Sequence, residues 1–159
     1  RPDLLLIPNL PERGVRADLD WLAGEIPEEI FEVLQESNTD QPEAQAAFGI
    51  QARNLDRLNG EGMRIAFGTD GNIPWEAHVE MEDMVLAGMT PGQVLVAATR
   101  NSAEILGLAD MGTIEAGKSA DFVVLEANPL DDIKNTRRIR SVYLRGEEVN
   151  RAEIRSRWD

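Results

Sequence analysis

Only two short apolar runs in the first 107 residues read as buried strands, and long helical stretches separate them. Leu4-Leu5-Leu6-Ile7, stopped by Pro8-Asn9, is the first, and Arg64-Ile65-Ala66-Phe67 is the second. Strands that alternate with helices specify a parallel α/β layer, because a helix must carry the chain back between parallel neighbours. Two strands, however, neither close a barrel nor cover helices on both faces. The α/β layer written here is incomplete.

The helical stretches have clear punctuation. Pro27 opens a short helix with Ile30, Phe31 and Leu34 at helical spacing. A longer helix begins near Pro42, places Phe48, Ala52, Leu55 and Leu58 on one face, and ends at Gly60-Glu61-Gly62. Glu76 to Ala87 carries Ala77, Met81, Met84 and Val85 on one face and closes at Gly88. Thr90-Pro91-Gly92-Gln93 combines a capping threonine, a first-turn proline and a capping-box glutamine, so it starts a helix that reaches about Leu106.

From Gly107 the pattern becomes strand-like. Gly112-Thr113-Ile114 leads to a turn at Gly117-Lys118, and Phe122-Val123-Val124-Leu125 is a β-branched run ended by Asn128-Pro129. Segments 139–144 and 147–149 flank Arg145-Gly146 as a hairpin. Three segments follow: an α/β part over 1–107, a strand-rich part over 108–150 and a charged tail over 151–159.

Composition excludes several classes. A 42% hydrophobic chain of 159 residues can bury a core. Its net charge of −13 repels phosphate backbones, so nucleic-acid binding is not expected. No cysteine is present, which removes disulfides and thiolate zinc sites and suits a reducing compartment, the cytoplasm being the expected one. No apolar run approaches the ~20 residues that span a bilayer. The opening Arg1-Pro2-Asp3 has neither an initiator Met nor a signal pattern, and the expectation is a truncated or processed product.

Asp70 follows the second strand, between Gly68-Thr69 and Gly71. Active sites of parallel α/β folds gather at the carboxyl ends of strands. From position alone Asp70 is either a carboxylate acting on a metal-bound water or an Asx residue capping a turn. His78, the one histidine, reads as a structural helix residue with Glu82 at i+4. Thr99, Arg100 and Asn101 invite a substrate-binding role, but Ala97-Ala98 beside them favours packing. Gly117-Lys118-Ser119 lacks the spacing of a nucleotide loop. Trp21, Trp75 and Trp158 are far apart, and Trp75 suits a pocket wall or plain packing equally.

Several stretches in order carry a family resemblance. They are Phe67-Gly68-Thr69-Asp70-Gly71, His78-Val79-Glu80-Met81, Ala87-Gly88-Met89-Thr90-Pro91 and Ala97-Ala98-Thr99-Arg100-Asn101-Ser102-Ala103. Gly112-Thr113-Ile114-Glu115-Ala116-Gly117-Lys118-Ser119-Ala120-Asp121, Asn128-Pro129-Leu130 and Val142-Tyr143-Leu144-Arg145-Gly146 complete them. Over about Gly62 to Asn150 the chain resembles the amidohydrolase superfamily, especially its imidazolonepropionase-like and prolidase-like members. Leu6-Ile7-Pro8-Asn9 resembles the seventh barrel strand of the same family.

The resemblance implies the carboxyl-terminal part of a (β/α)8 TIM-type barrel, about its last two βα units, with strands of the small β-sandwich lobe beside it. It implies hydrolysis of amide or other C–N bonds, on a dipeptide-like or cyclic amide substrate, with a divalent metal, zinc, in the full-length protein. Asp70 would be both catalytic residue and metal contact, moving a proton from the attacking water to the leaving amine. The family builds its metal site from a His-x-His pair, a mid-barrel lysine or glutamate and two later histidines; this chain has no His-x-His, and its one histidine, His78, matches none of those ligand positions. The isolated chain is therefore expected to hold no metal stably and to be inactive. The alternative is a non-catalytic module that self-associates as a homo-oligomer or docks onto the missing barrel portion.

Overall fold

A computed structural model describes residues 4–71, 73 and 75–157. In chain order its regular elements are β1 (Leu5–Leu6), α1 (Glu28–Ser37), α2 (Pro42–Gly60), β2 (Arg64–Ile65), α3 (Glu76–Leu86) and α4 (Pro91–Val96). Then come α5 (Ser102–Ile105), β3 (Phe122–Leu125), β4 (Ile139–Leu144), β5 (Glu147–Glu148) and α6 (Arg151–Arg155). Two compact units result: residues up to Leu10 with Ile50–Val149, and Pro11–Gly49 with the residues from Asn150.

In the larger unit β1 and β2 pair in parallel, Leu5 opposite Arg64 and Leu6 opposite Ile65. The Ala66 N–H donates to the Leu6 carbonyl at 2.8 Å and carries the ladder one step further. The two four-residue runs thus give only two residues of strand each. Pro8 has no N–H to offer, and both chains leave the ladder before the ends of their apolar runs.

The core beneath is Leu55, Ile65, Met84, Ala87, Met89, Val94, Ala97 and Ile133. Met84 and Val94 are fully enclosed, each stabilising the fold by roughly 1.5–3 kcal/mol through burial. Thr90 and Gln93 form the expected capping box at the start of α4. The continuous helix expected to Leu106 is instead α4, a π-helical turn over Ala97–Asn101, and α5.

Strands β3, β4 and β5 form an antiparallel sheet in that order, with Phe122 opposite Tyr143 and their rings stacked at 4.6 Å. Arg145 at φ 53° and Gly146 at φ 84° make the left-handed pair of a type I′ hairpin turn. Gly112-Thr113-Ile114 is not a strand: it is irregular, and Ile114 is 90% exposed.

The smaller unit is organised around Gly14, at φ 64°. A Cβ there would stand 2.6 Å from the Gln41 carbonyl oxygen, so only glycine allows this approach. The Gly14 carbonyl accepts from the Gln41 N–H and from Gln45 Nε2. Helix α1 buries Phe31, while Ile30, expected on the inner face, is 46% exposed. The tail forms α6, capped by Asn150, with Arg155 paired to Glu25. Trp158 and the Arg1-Pro2-Asp3 opening lie outside the described residues.

Candidate functional site

The carboxyl ends of β1 and β2 come together because of one missing side chain. A Cβ on Gly68 would lie 2.8 Å from Ile7 Cγ2, closer than real contacts allow, and a tight 3.0 Å from Asn9 Oδ1. Asn9 sits at φ 39°, in the left-handed region that asparagine tolerates better than most residues. The next residue is tethered: the Leu10 N–H donates to Glu80 Oε1 at 3.1 Å, across 70 positions of sequence.

Asp70 lies in the loop after β2, beyond residues 66–69, and is exposed. Thr69 Oγ1 donates to the Gly71 carbonyl at 3.4 Å, a weak brace for the turn. Gly71 lies directly under the Glu76 carboxylate, whose Oε2 is buried without a hydrogen-bond partner among the described residues. One turn along α3, Glu80 is buried too. Burial pushes its carboxyl pKa up to about 7; the Leu10 amide opposes that shift and the charge of Glu76 adds to it. The strand ends are therefore bordered by carboxyl groups of different exposure.

These groups do not make a metal centre. Among the described residues no set of three or more His, Cys, Asp or Glu is placed to hold an ion. Catalytic metals usually take about three protein ligands, and Asp70 supplies one carboxylate. The divalent ion implied by the family does not fit this chain's residues alone.

His78 takes a structural place. Its Nδ1 stands 3.1 Å from Thr136 Oγ1, and that hydroxyl donates to the Ile133 carbonyl at 2.8 Å. Burial, then the Arg137 charge, lowers the His78 pKa below its ordinary value. Arg137 in turn pairs with Glu82, both side chains buried, so α3 is bound to the 3₁₀ turn over Ile133–Arg137.

The other sequence candidates divide the same way. Asn101 Nδ2 donates to the Ile65 carbonyl at 2.6 Å, and Thr99 Oγ1 to the Leu95 carbonyl at 2.7 Å, which is packing chemistry. Arg100 and Asn101 border an open cleft of about 560 Å³ with Met63, Arg64, Ile65 and Met89. That cleft lies at the amino end of β2, whereas Asp70 follows its carboxyl end. Asp121 accepts from Ser119 Oγ and from the Arg145 N–H, and these bonds, Ser119's first, hold its carboxyl below the usual range. The Gly117 turn is thus a brace for the hairpin. Trp75 stands at the position just before α3, makes no side-chain capping bond, and is half-buried.

Glu76, Glu80 and Asn9 were missed by sequence reasoning. A signal existed for Glu80: it stands four residues before Met84, on the inward stripe of α3.

A family model described as the amidohydrolase family matches residues 12–149. Imidazolonepropionase from Deinococcus deserti is 36% identical over 110 residues, 64% of this chain and 27% of that protein. The 5-methylthioadenosine/S-adenosylhomocysteine deaminase of Halalkalibacterium halodurans is 28% identical over 138 residues, 74% of this chain and 31% of its own length. A solved Xaa-Pro dipeptidase, with methionine bound in its active site, superposes with a TM-score of 0.61 at 27% identity, over 77% of this chain and 32% of that one. The chain thus spans about a third or less of the relatives it matches.

Proposed function

The chain belongs to the amidohydrolase family, and on that footing we propose that it is the carboxyl-terminal part of a hydrolase cleaving a C–N bond in a dipeptide-like or cyclic amide. Residues 1–107 would supply the last two βα units of a (β/α)8 barrel, 108–150 strands of its β-sandwich lobe, and 151–159 a charged tail. The parallel β1–β2 pair, joined by a helical crossover, supports the barrel assignment. No helix among the described residues is long and apolar enough to cross a membrane. The cysteine-free composition suits the cytoplasm.

Asp70 is the proposed catalytic residue, and the observation that carries it is its place. It is an exposed carboxylate in the loop that follows a parallel strand, after residues 66–69, where loops of such folds meet substrate. There the carboxylate takes a proton as a water oxygen bonds to the substrate carbon. It returns that proton to the nitrogen as the C–N bond breaks, so the amine leaves neutral and the aspartate is regenerated. A divalent ion, zinc by family chemistry, would need ligands beyond this chain, and Asp70 would be one contact to it.

The test is Asp70→Asn in the longer protein that contains this chain. Hydrolysis should fall by about 10²–10⁴-fold with substrate affinity little changed. Retained turnover would remove Asp70 from the chemistry. The lack of a metal-holding cluster among the described residues favours a second reading, a module that self-associates or docks onto the rest of a barrel. A longer protein without a His-x-His strand upstream would decide for that reading.

A further inference from the structure

We propose that Glu80 is a positioning residue of the candidate site: its buried carboxyl grips the Leu10 amide and so holds the Asn9 side chain against Gly68, at the strand ends that Asp70 follows. The proposal rests on the reading of Asp70 given above. Three separate observations converge on it. The Leu10–Glu80 bond joins the loop after β1 to α3, a link the backbone ladder does not make. Asn9 is kept at a positive φ, a conformation that costs free energy and persists where its surroundings enforce it. Gly68 leaves the space that Asn9 Oδ1 approaches.

A buried acid is an uneconomical anchor for a single amide, since a glutamine or a backbone carbonyl would serve with less desolvation. Buried carboxyls with displaced ionisation are instead common beside reacting groups. Glu76 is the charged group facing Glu80 from its own helix, and the Leu10 amide faces it from the β1 loop. Asn9 is exposed, so its carboxamide, an acceptor with two donors, can meet an amide or carboxylate of a substrate held beside Asp70. Glu80 acts through Asn9 and does not touch substrate.

Two measurements test this. In the 159-residue chain, NMR should detect a through-hydrogen-bond coupling between the Leu10 amide nitrogen and the Glu80 carboxyl carbon. Leu10 amide exchange should accelerate about tenfold or more in Glu80→Leu and stay near wild type in Glu80→Gln, which keeps the acceptor. In the complete hydrolase, Glu80→Leu and Asn9→Ala should each lower kcat/KM by roughly tenfold, the double variant falling no further. A missing coupling, an unmoved Leu10 exchange or additive kinetic losses would each overturn the proposal. The wild-type coupling decides even if Glu80→Leu does not fold. Full hydrolysis by Asp70→Asn would remove the catalytic reading and leave the Leu10–Glu80 result standing. An inactive Asp70→Asn beside a fully active Glu80→Leu would do the reverse.

Discussion

At Gly68 one methyl group decides how near the two strand ends can stand. The obstacles are Ile7 Cγ2, part of a stiff β-branched side chain, and Asn9 Oδ1 on a residue already at positive φ. Neither can retreat cheaply, so Gly68→Ala should destabilise the fold by about 1–3 kcal/mol, read from the urea midpoint at unchanged slope. Gly60 is the matched control. It ends α2 with nothing within 4 Å of a would-be Cβ, so Gly60→Ala should stabilise by about 0.5–1 kcal/mol. If both alanines shift the midpoint alike, the crowding at Gly68 is not what holds the strand ends. The importance of Gly68 could be suspected from sequence only as a glycine before an aspartate. Which side chains it admits depends on residues some 60 positions earlier, and no local pattern reports that.

Helix α3 concentrates opposing titrations on eleven residues. The Glu80 pKa is raised from 4.5 to about 7, so between those values the folded chain binds more proton than the unfolded one. Stability from this group is full below 4.5 and is lost as pH rises through about 7. His78 does the opposite: lowered from 6.5, it contributes stability above 6.5 that is lost as pH falls through its folded value. The two slopes partly cancel just below 6.5. Removing one should expose the other. In Glu80→Gln, stability should climb with pH up to about 6.5; in His78→Gln, it should decline from acid pH to about 7. Denaturant titrations between about pH 5 and about pH 8 read both slopes, and parallel curves for wild type and Glu80→Gln would mean that Glu80 is already ionised in the native chain. The ends and apolar stripe of α3 were legible from Met81, Met84 and Val85. Its buried Glu80, Glu82 and Asp83 were not, because acids on a helix read as a solvated face until a partner such as Arg137 is known.

For the molecule as a whole, the open question is how an α/β layer with two strands among the described residues keeps its edge. The Ala66 N–H points to β1, so by alternation the polar backbone groups of Ile65 and Phe67 face the other way. The Asn101 amide donates to the Ile65 carbonyl, and Ser102 Oγ accepts from the Phe67 N–H at 3.1 Å. The π-helical turn over Ala97–Asn101 lets both neighbours reach the strand. An α/β layer short of strands is what the sequence leads one to expect, but this cover is not legible there, since a one-residue change of helical register leaves no mark in an apolar pattern. The double variant Asn101→Ala, Ser102→Ala should strip the edge and associate more strongly than wild type at equal concentration in light scattering. Equal association would show that the edge is not where copies meet. With one exposed Asp70 and no three-ligand cluster among the described residues, the purified chain should hold well under one ion per molecule by elemental analysis after dialysis against zinc. The longer protein should hold at least one, and Asp70→Asn in it should weaken retention about tenfold or more. Stoichiometric zinc on the 159-residue chain would instead mean that it assembles a cation site of its own, and that its relation to the barrel is not one of a part to a whole.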